Sequence, residues 1–270
     1  MVKAGIYQWF GYPIKIEKRY KMIKEAGFYS IMLWWGDRYK EFDGEKELLP
    51  DLARKSGLHI ENIHAPTEFA DNIWKDCIDG TELENRYMDC IKVCKRHKID
   101  TLVIHTPMKK DQIYNKKVGL NRINCITEFA QEFGINIAVE NLSRLDYLHD
   151  IFSNIKFENL GFCYDSGHDN YYTKDSDLLA TYGDRLMAIH LHDNDGTGDQ
   201  HFLIGEGNVN WVKIKNDIHN STYLGSITLE LSEKLPERYK DTEAEIFLKE
   251  AFSRVQSVFS YNEGAITADT

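Results

Sequence analysis

Eight short runs rich in β-branched and aromatic residues, at about 5–9, 29–35, 59–65, 101–106, 136–141, 161–165, 187–192 and 226–231, alternate with longer amphipathic stretches along the 270-residue chain. Strands separated by helices run parallel, because a tight hairpin can only join antiparallel neighbours. The stretches between them predict helices over 16–26, 45–56, 80–98, 119–133, 144–155, 176–183, 209–220 and 241–262, and Gly27, Gly57 and Gly134 stand where left-handed helix caps belong. Eight such units in this length, with no Ser/Pro-rich linker, predict an α/β fold closed into a (β/α)8 TIM barrel. A single domain over 1–270 is expected, with the barrel at about 4–262 and a short C-terminal tail. A doubly wound open sheet is the alternative, weakened because no Gly-rich phosphate loop follows the first strand.

Residues two apart on a strand share a face, so one parity of a barrel strand meets the helices and the other points inward. In the fifth strand Ile135, Ile137 and Val139 are the outward set, which turns Asn136, Ala138 and Glu140 inward. The same reading turns Asn62 and His64, Val103 and His105, Cys163 and Asp165, Ala188, His190 and His192, and Thr228 and Glu230 inward. Of Trp34 and Trp35, one must face the helices. Six successive strands therefore end, at the C-terminal rim where barrel enzymes place their active sites, with an inward His, Asp or Glu. Any one of these is explained as a solvated strand end. Together, carboxylates and imidazoles converging on one small mouth repel or stay unsatisfied unless a cation holds them. Asp165-Ser166-Gly167-His168 and Asp199-Gln200-His201 extend the set, with a surface turn as the alternative for the latter pair.

A formal charge of −10 gives no general attraction to phosphate backbones. No stretch approaches the ~20 apolar residues of a membrane span, and the first residues lack the apolar segment of a secretion signal, so a cytoplasmic protein without a membrane partner is expected. Five scattered cysteines fit a reducing compartment. Cys90 and Cys94, four apart on a predicted helix, read as small apolar filler, with a metal or redox pair as the alternative.

Ile63-His64-Ala65-Pro66, Val103-Ile104-His105, Val139-Glu140-Asn141, Phe162-Cys163-Tyr164-Asp165 with Gly167-His168, Ile189-His190-Leu191-His192-Asp193, Asp199-Gln200-His201 with Gly205-Glu206-Gly207, and Thr228-Leu229-Glu230 follow one another in order. Together they resemble the family that joins endonuclease IV to the xylose-isomerase-like sugar isomerases and epimerases. The resemblance implies His64, His105, Glu140, Asp165, His168, His190, Asp199, His201 and Glu230 as the positions that hold three zinc ions in endonuclease IV. In the isomerases it implies only Glu140, Asp165, a seventh-strand His and Glu230 around one ion. His190 and His192 share a face, and the His-x-x-Asp spacing to Asp193 favours His190. Three carboxylates with one imidazole suit Mn²⁺, Mg²⁺ or Co²⁺, and an imidazole-rich group suits Zn²⁺, so one to three divalent ions are expected.

Two activities follow from that resemblance. The first is a metal-dependent isomerase or epimerase of a small sugar or sugar phosphate, working by proton transfer through a stabilised enediolate with Glu140 and Glu230 as base and acid. His192, Trp9, Tyr12 and Trp34 are then candidates for contacting substrate, and Lys109, Lys110 or Arg144 for an anionic group, although each of these charges is equally explained as a solvated surface residue. The second is an endonuclease IV-like zinc phosphoesterase acting on abasic DNA or another phosphodiester. The full nine-residue set favours it. Residues 67–74 depart from the endonuclease's DNA-opening loop, and residues 36–43 form no basic groove, so nucleic acid is disfavoured as a partner. The isomerase reading has its own departure, since no Arg follows the seventh-strand His in 193–198 as it does in ketose 3-epimerases. A catalytically silent metal- or sugar-binding barrel is the third reading.

Overall fold

A computed structural model describes residues 1–109, 114–232 and 234–260. Eight parallel strands, β1 (Ala4–Tyr7), β2 (Ser30–Trp34), β3 (His59–His64), β4 (Thr101–His105), β5 (Asn136–Glu140), β6 (Leu160–Asp165), β7 (Leu186–His190) and β8 (Ile227–Leu229), lie in the order β7-β6-β5-β4-β3-β2-β1-β8. Each strand pairs with its sequence neighbour, and β1 also pairs with β8, so the sheet curls round on itself. The seam between β7 and β8 is narrow. Leu191 closes it, donating its N–H to the Thr228 carbonyl at 2.9 Å and accepting from Glu230 N–H at 3.0 Å. The expected (β/α)8 barrel is the observed fold.

The helices are amphipathic around it. In α1 (Ile16–Glu25) the buried set is Ile16, Arg19, Tyr20, Met22 and Ile23, one face at a period near 3.6. The second predicted helix starts late: a 3₁₀ turn at Lys46–Leu48 precedes the regular helix Leu49–Lys55, because Pro50 is tolerated only in a first turn. Segments Lys40–Asp43 and Ser166–Tyr172 are helical where the sequence pattern predicts loop. The latter short helix is capped by Asp165, whose side chain accepts from His168 N–H at 2.6 Å. Long helices at Ile78–His97 and Lys116–Phe133 cover β4 and β5, and Ala244–Phe259 packs on β1. Residues 261–270, which include the predicted tail, lie outside the described residues.

The expected alternation holds on both sides of the sheet. Ile63, Ile104, Ile137, Val139, Phe162 and Ile189 join the core under the helices, whereas Val103, Ala138, Cys163 and Ala188 form a small cluster inside the barrel. Trp35 belongs to the outer core, and Trp34 to an inner group with Tyr7, Trp9, Met32 and Tyr39. Cys90 and Cys94 are buried in the outer core, and burial pushes the Cys90 thiol up to about 12, which fits apolar filler and not a reactive pair. Beneath Trp9, Arg19 is fully buried and pairs with Asp43 at 2.7 Å, while Gln8 Nε2 donates to the same carboxylate at 2.8 Å.

Candidate metal centre

Strand register brings the polar residues to one level. His64, His105, Glu140, Asp165 and His190 are the last residues of β3 to β7, and His105 pairs with Glu140 and Asp165 with His190 across adjacent strands. Glu230 follows β8 directly. Asn141 braces this rim by a two-way clip, its Nδ2 donating to the Asp165 carbonyl at 2.9 Å and its Oδ1 accepting from Asp165 N–H at 2.8 Å.

Glu140 is the hub. Its Oε2 lies 3.1 Å from His64 Nε2, 3.1 Å from His190 Nδ1 and 3.6 Å from His105 Nε2, and its Oε1 lies 3.1 Å from His168 Nδ1. Glu230 Oε2 is 3.1 Å from the same His190 Nδ1. Asp199 Oδ2 sits 3.3 Å from His168 Nε2 and 3.4 Å from His201 Nε2. The Asp199–His201 loop lies at the surface, with Asp199 exposed, but it turns both side chains into the cluster. Asp193 pins its base, accepting from Asn194 N–H, Gly205 N–H, Val209 N–H and Trp211 Nε1 at 2.8 to 3.1 Å.

The hydrogen bonds of the imidazoles fix their tautomers. His64, His168 and His201 each turn Nδ1 to a backbone carbonyl, of Ala65 at 2.7 Å, Asn141 at 3.1 Å and Glu230 at 3.0 Å. A carbonyl only accepts, so those nitrogens carry the proton and a neutral ring leaves its Nε2 lone pair facing inward. These lone pairs face carboxylate oxygens and, at 3.2 Å, the Nε2 of His105. Acceptors facing acceptors require positive charge between them. Asp165 Oδ2, Glu230 Oε2 and both ring nitrogens of His190 are buried without a hydrogen-bond partner.

The protonation preferences of the cluster follow from its burial and its charges. Burial resists ionisation of Glu140 and Glu230, yet the neighbouring imidazoles hold both carboxyls well below their usual range. Burial likewise resists charging of His201, His168 and His190, but Asp199 lifts His201 to about 9 and Asp165 with Asp199 raises His168, while His190 is raised by Cys163 and then by Glu230 and Glu140. The cluster favours added positive charge, which a divalent ion would supply compactly. One donor atom from each of Glu140, Asp165, His190 and Glu230 lies within 4.8 Å of the others, as is true of His64, Glu140 and His190, and of His192, Asp199 and His201. The donors fit a divalent cation: the first group is hard and anionic, the others richer in nitrogen.

Above the cluster opens a cavity of about 460 Å³, whose lining includes Tyr7, Trp34, Arg38, Glu140, Glu230 and Lys234. Trp34 stands where a substrate-contacting residue was expected. Three other residues expected near substrate sit elsewhere. Trp9 stacks on Tyr39 at 4.2 Å with Arg19 over its far face, Tyr12 packs between Phe10 and Phe247 with its hydroxyl donating to the Thr242 carbonyl, and His192 is fully buried beside Asp165. None of the three lines the mouth. Parity applies only while a strand lasts, and β1 ends at Tyr7. That parity, extended to β1, points to Tyr7. Of the basic candidates, Arg144 forks onto Asp146 at 2.9 Å, Lys109 lies away from the lining, and Lys110 lies outside the described residues. Lys234 and Arg38, the latter paired with Glu68 at 2.9 Å, lie at the rim, on loops that sequence periodicity does not address.

Fold and site define a (β/α)8 barrel with a buried carboxylate–imidazole centre at its C-terminal mouth. Residues 20–251 match the model of the xylose isomerase-like TIM barrel family, and the chain belongs to that family. Among curated relatives, the uncharacterised protein MJ1614 of Methanocaldococcus jannaschii is 30% identical over 201 residues, 70% of this chain and 75% of its own. The uncharacterised protein y4fM of Sinorhizobium fredii is 26% identical over 249 residues, 77% of this chain and 78% of its own. The uncharacterised M. jannaschii protein MJ1311 is 32% identical over a shorter match, which spans 40% of its length. Among solved structures, a D-tagatose 3-epimerase-like protein superposes with a TM-score of 0.75 at 20% identity, covering 95% of this chain and 98% of that one. The IOLI protein with a bound zinc atom gives 0.77 at 15% identity, with 95% and 98% covered. The D-psicose 3-epimerase of Clostridium cellulolyticum H10 gives 0.75 at 14%, with 96% and 100% covered. These likenesses establish the fold. Among the described residues no helix is long and apolar enough to cross a membrane.

Proposed function

We propose that the protein is a divalent-cation-dependent isomerase or epimerase acting on a small sugar or sugar phosphate. The observation that carries this reading is the convergence of Glu140 and Glu230 on His190, with Asp165 beside them, at the floor of a cavity of about 460 Å³, a volume suited to a small molecule. Epimerase names among the structural neighbours support the same class. Glu140, Asp165, His190 and Glu230 would hold the ion, a Lewis acid that polarises a carbonyl oxygen when bound. Glu230 is 17% exposed and opens to the cavity, whereas Glu140, 1% exposed, is wrapped by imidazoles. Glu230 is accordingly the residue assigned to move a proton at the carbon beside the carbonyl, and Glu140 the one that anchors the centre. Trp34 gives the substrate an apolar wall, and Arg38, 4.9 Å over the Trp34 ring, sets a cation at the rim. Solvent deuterium incorporation beside the carbonyl of candidate sugars tests the assignment; no exchange with any of them in the cation-loaded protein would count against it.

A second reading, multi-zinc phosphoester hydrolysis, is favoured by one observation: His64, His105, His168, Asp199 and His201 exceed what a single ion needs. Metal analysis separates the two. One equivalent of a hard ion such as Mn²⁺ supports the isomerase, and two or three of Zn²⁺ with incision of an abasic-site duplex support hydrolysis.

A further inference from the structure

His192 is absent from the nine positions that the family resemblance implies, and it does not touch the mouth. It nevertheless has the surroundings of a ligand. The side chain is fully buried, and neither ring nitrogen has a hydrogen-bond partner. Its Nε2 lies 3.1 Å from Asp165 Oδ1 and 3.6 Å from Asp199 Oδ1.

The position is built from both sides. Ser166 Oγ donates to the His192 carbonyl at 2.8 Å and accepts from His192 N–H at 3.0 Å, fixing the backbone. Gly167 lies against the ring. A Cβ there would come within 1.8 Å of His192 Cε1, so no other residue type fits at 167 while the ring keeps its place. His201 stacks on the ring in parallel, with centroids 3.8 Å apart.

We propose that His192 is a metal ligand, joining Asp199 and His201 in a second cation site beside the one formed by Glu140, Asp165, His190 and Glu230. One donor atom from each of the three lies within 4.8 Å of the other two. Two imidazoles and a carboxylate match the nitrogen-rich preference of Zn²⁺. Parallel rings cannot both hold an ion in their planes, so filling the site tips one ring out of the stack. His192 is walled by Gly167 and clipped by Ser166, so His201, held through Nδ1 to the Glu230 carbonyl, is the ring that would have to turn. This rests on reading the rim as a cation centre, and not on the isomerase assignment.

The test is equilibrium Zn²⁺ titration of chelator-stripped protein, with bound metal counted by elemental analysis and Co²⁺ absorption as a second readout. The unaltered chain should take at least two ions. His192→Ala and His192→Leu, the latter close to histidine in volume, should each lose one, or bind it at least tenfold more weakly, while the tighter ion stays. In the unaltered chain the ¹⁵N resonances of the His192 ring should shift with the second equivalent, a readout independent of how the variants fold. Unchanged stoichiometry and affinity in the variants, or a static His192 resonance, overturns the proposal. A single ion bound by the unaltered chain overturns it while leaving the first site standing, and no ion at all removes the cation centre itself.

Discussion

Glu140 and Glu230 reach the same nitrogen, His190 Nδ1, each through its Oε2 at 3.1 Å. Two carboxylates on one imidazole edge form a centre that one residue cannot leave without exposing the charge of the others.

Replacing Glu230 by Gln keeps the shape but removes both a negative ligand and the proton-transfer group. Turnover is expected to fall by about 10²–10⁴-fold, the usual worth of a positioned acid or base. Deuterium exchange on the folded variant measures it. Near-normal exchange would falsify the role given to Glu230.

Stripping divalent ions with a chelator should lower thermal stability. An ion present at about 100 times its dissociation constant stabilises by about 2.7 kcal/mol, which corresponds to roughly 5–10 °C for a chain of this size. Calorimetry with and without added metal reads the difference, and identical transitions would contradict a bound ion.

Gly119 sits inside the helix Lys116–Phe133, where Ala would ordinarily be the better residue by about 1 kcal/mol. Here a Cβ would lie 2.0 Å from Cε3 of the fully buried Trp74. Gly119→Ala should therefore destabilise, by about 1–3 kcal/mol in urea unfolding, as overpacking does. A stabilised variant would mean that the Trp74 ring relaxes freely.

Asp43→Ala leaves Arg19, buried under Trp9, without its carboxylate. Breaking a buried pair from one side typically costs about 3–5 kcal/mol. Denaturant unfolding should show a loss of that order, much larger than for an exposed pair such as Lys21–Glu25.

Thiol labelling should separate the cysteines by burial. Cys77 is exposed, whereas burial raises the Cys90 thiol to about 12 and raises that of Cys94 as well. In the native protein at pH 8, Cys77 should react with an alkylating reagent in minutes while Cys90 and Cys94 wait for unfolding. Fast labelling of Cys90 would contradict its packing.

Much of the barrel was legible before any coordinates. A strand's period of two is a local property, and it places Ile137 and Val139 outside and Glu140 inside whatever the rest of the chain does. Helix ends were legible where a cap residue marks them, as at Gly134, whose φ of +68° closes the helix before β5. Legibility ended where strands did. Tyr12 was expected near substrate, but beyond Tyr7 no periodicity governs direction, and its ring follows the apolar pull of Phe10 and Phe247. Arg38 and Lys234 reach the mouth from loops, where position depends on what the loop packs against.

The sequence by itself determined eight parallel strands, their inward and outward faces, and the supply of carboxylates and imidazoles at one rim, because these follow from short-range backbone geometry. Only the tertiary structure decided that His190 joins Glu140 and Glu230 while His192, two residues on, turns towards Asp165 and Asp199. The two histidines share a parity. They are separated by the strand's end at His190, by the Leu191 seam to β8, and by a glycine at 167 that leaves room for the second ring, contacts that join residues far apart in the chain.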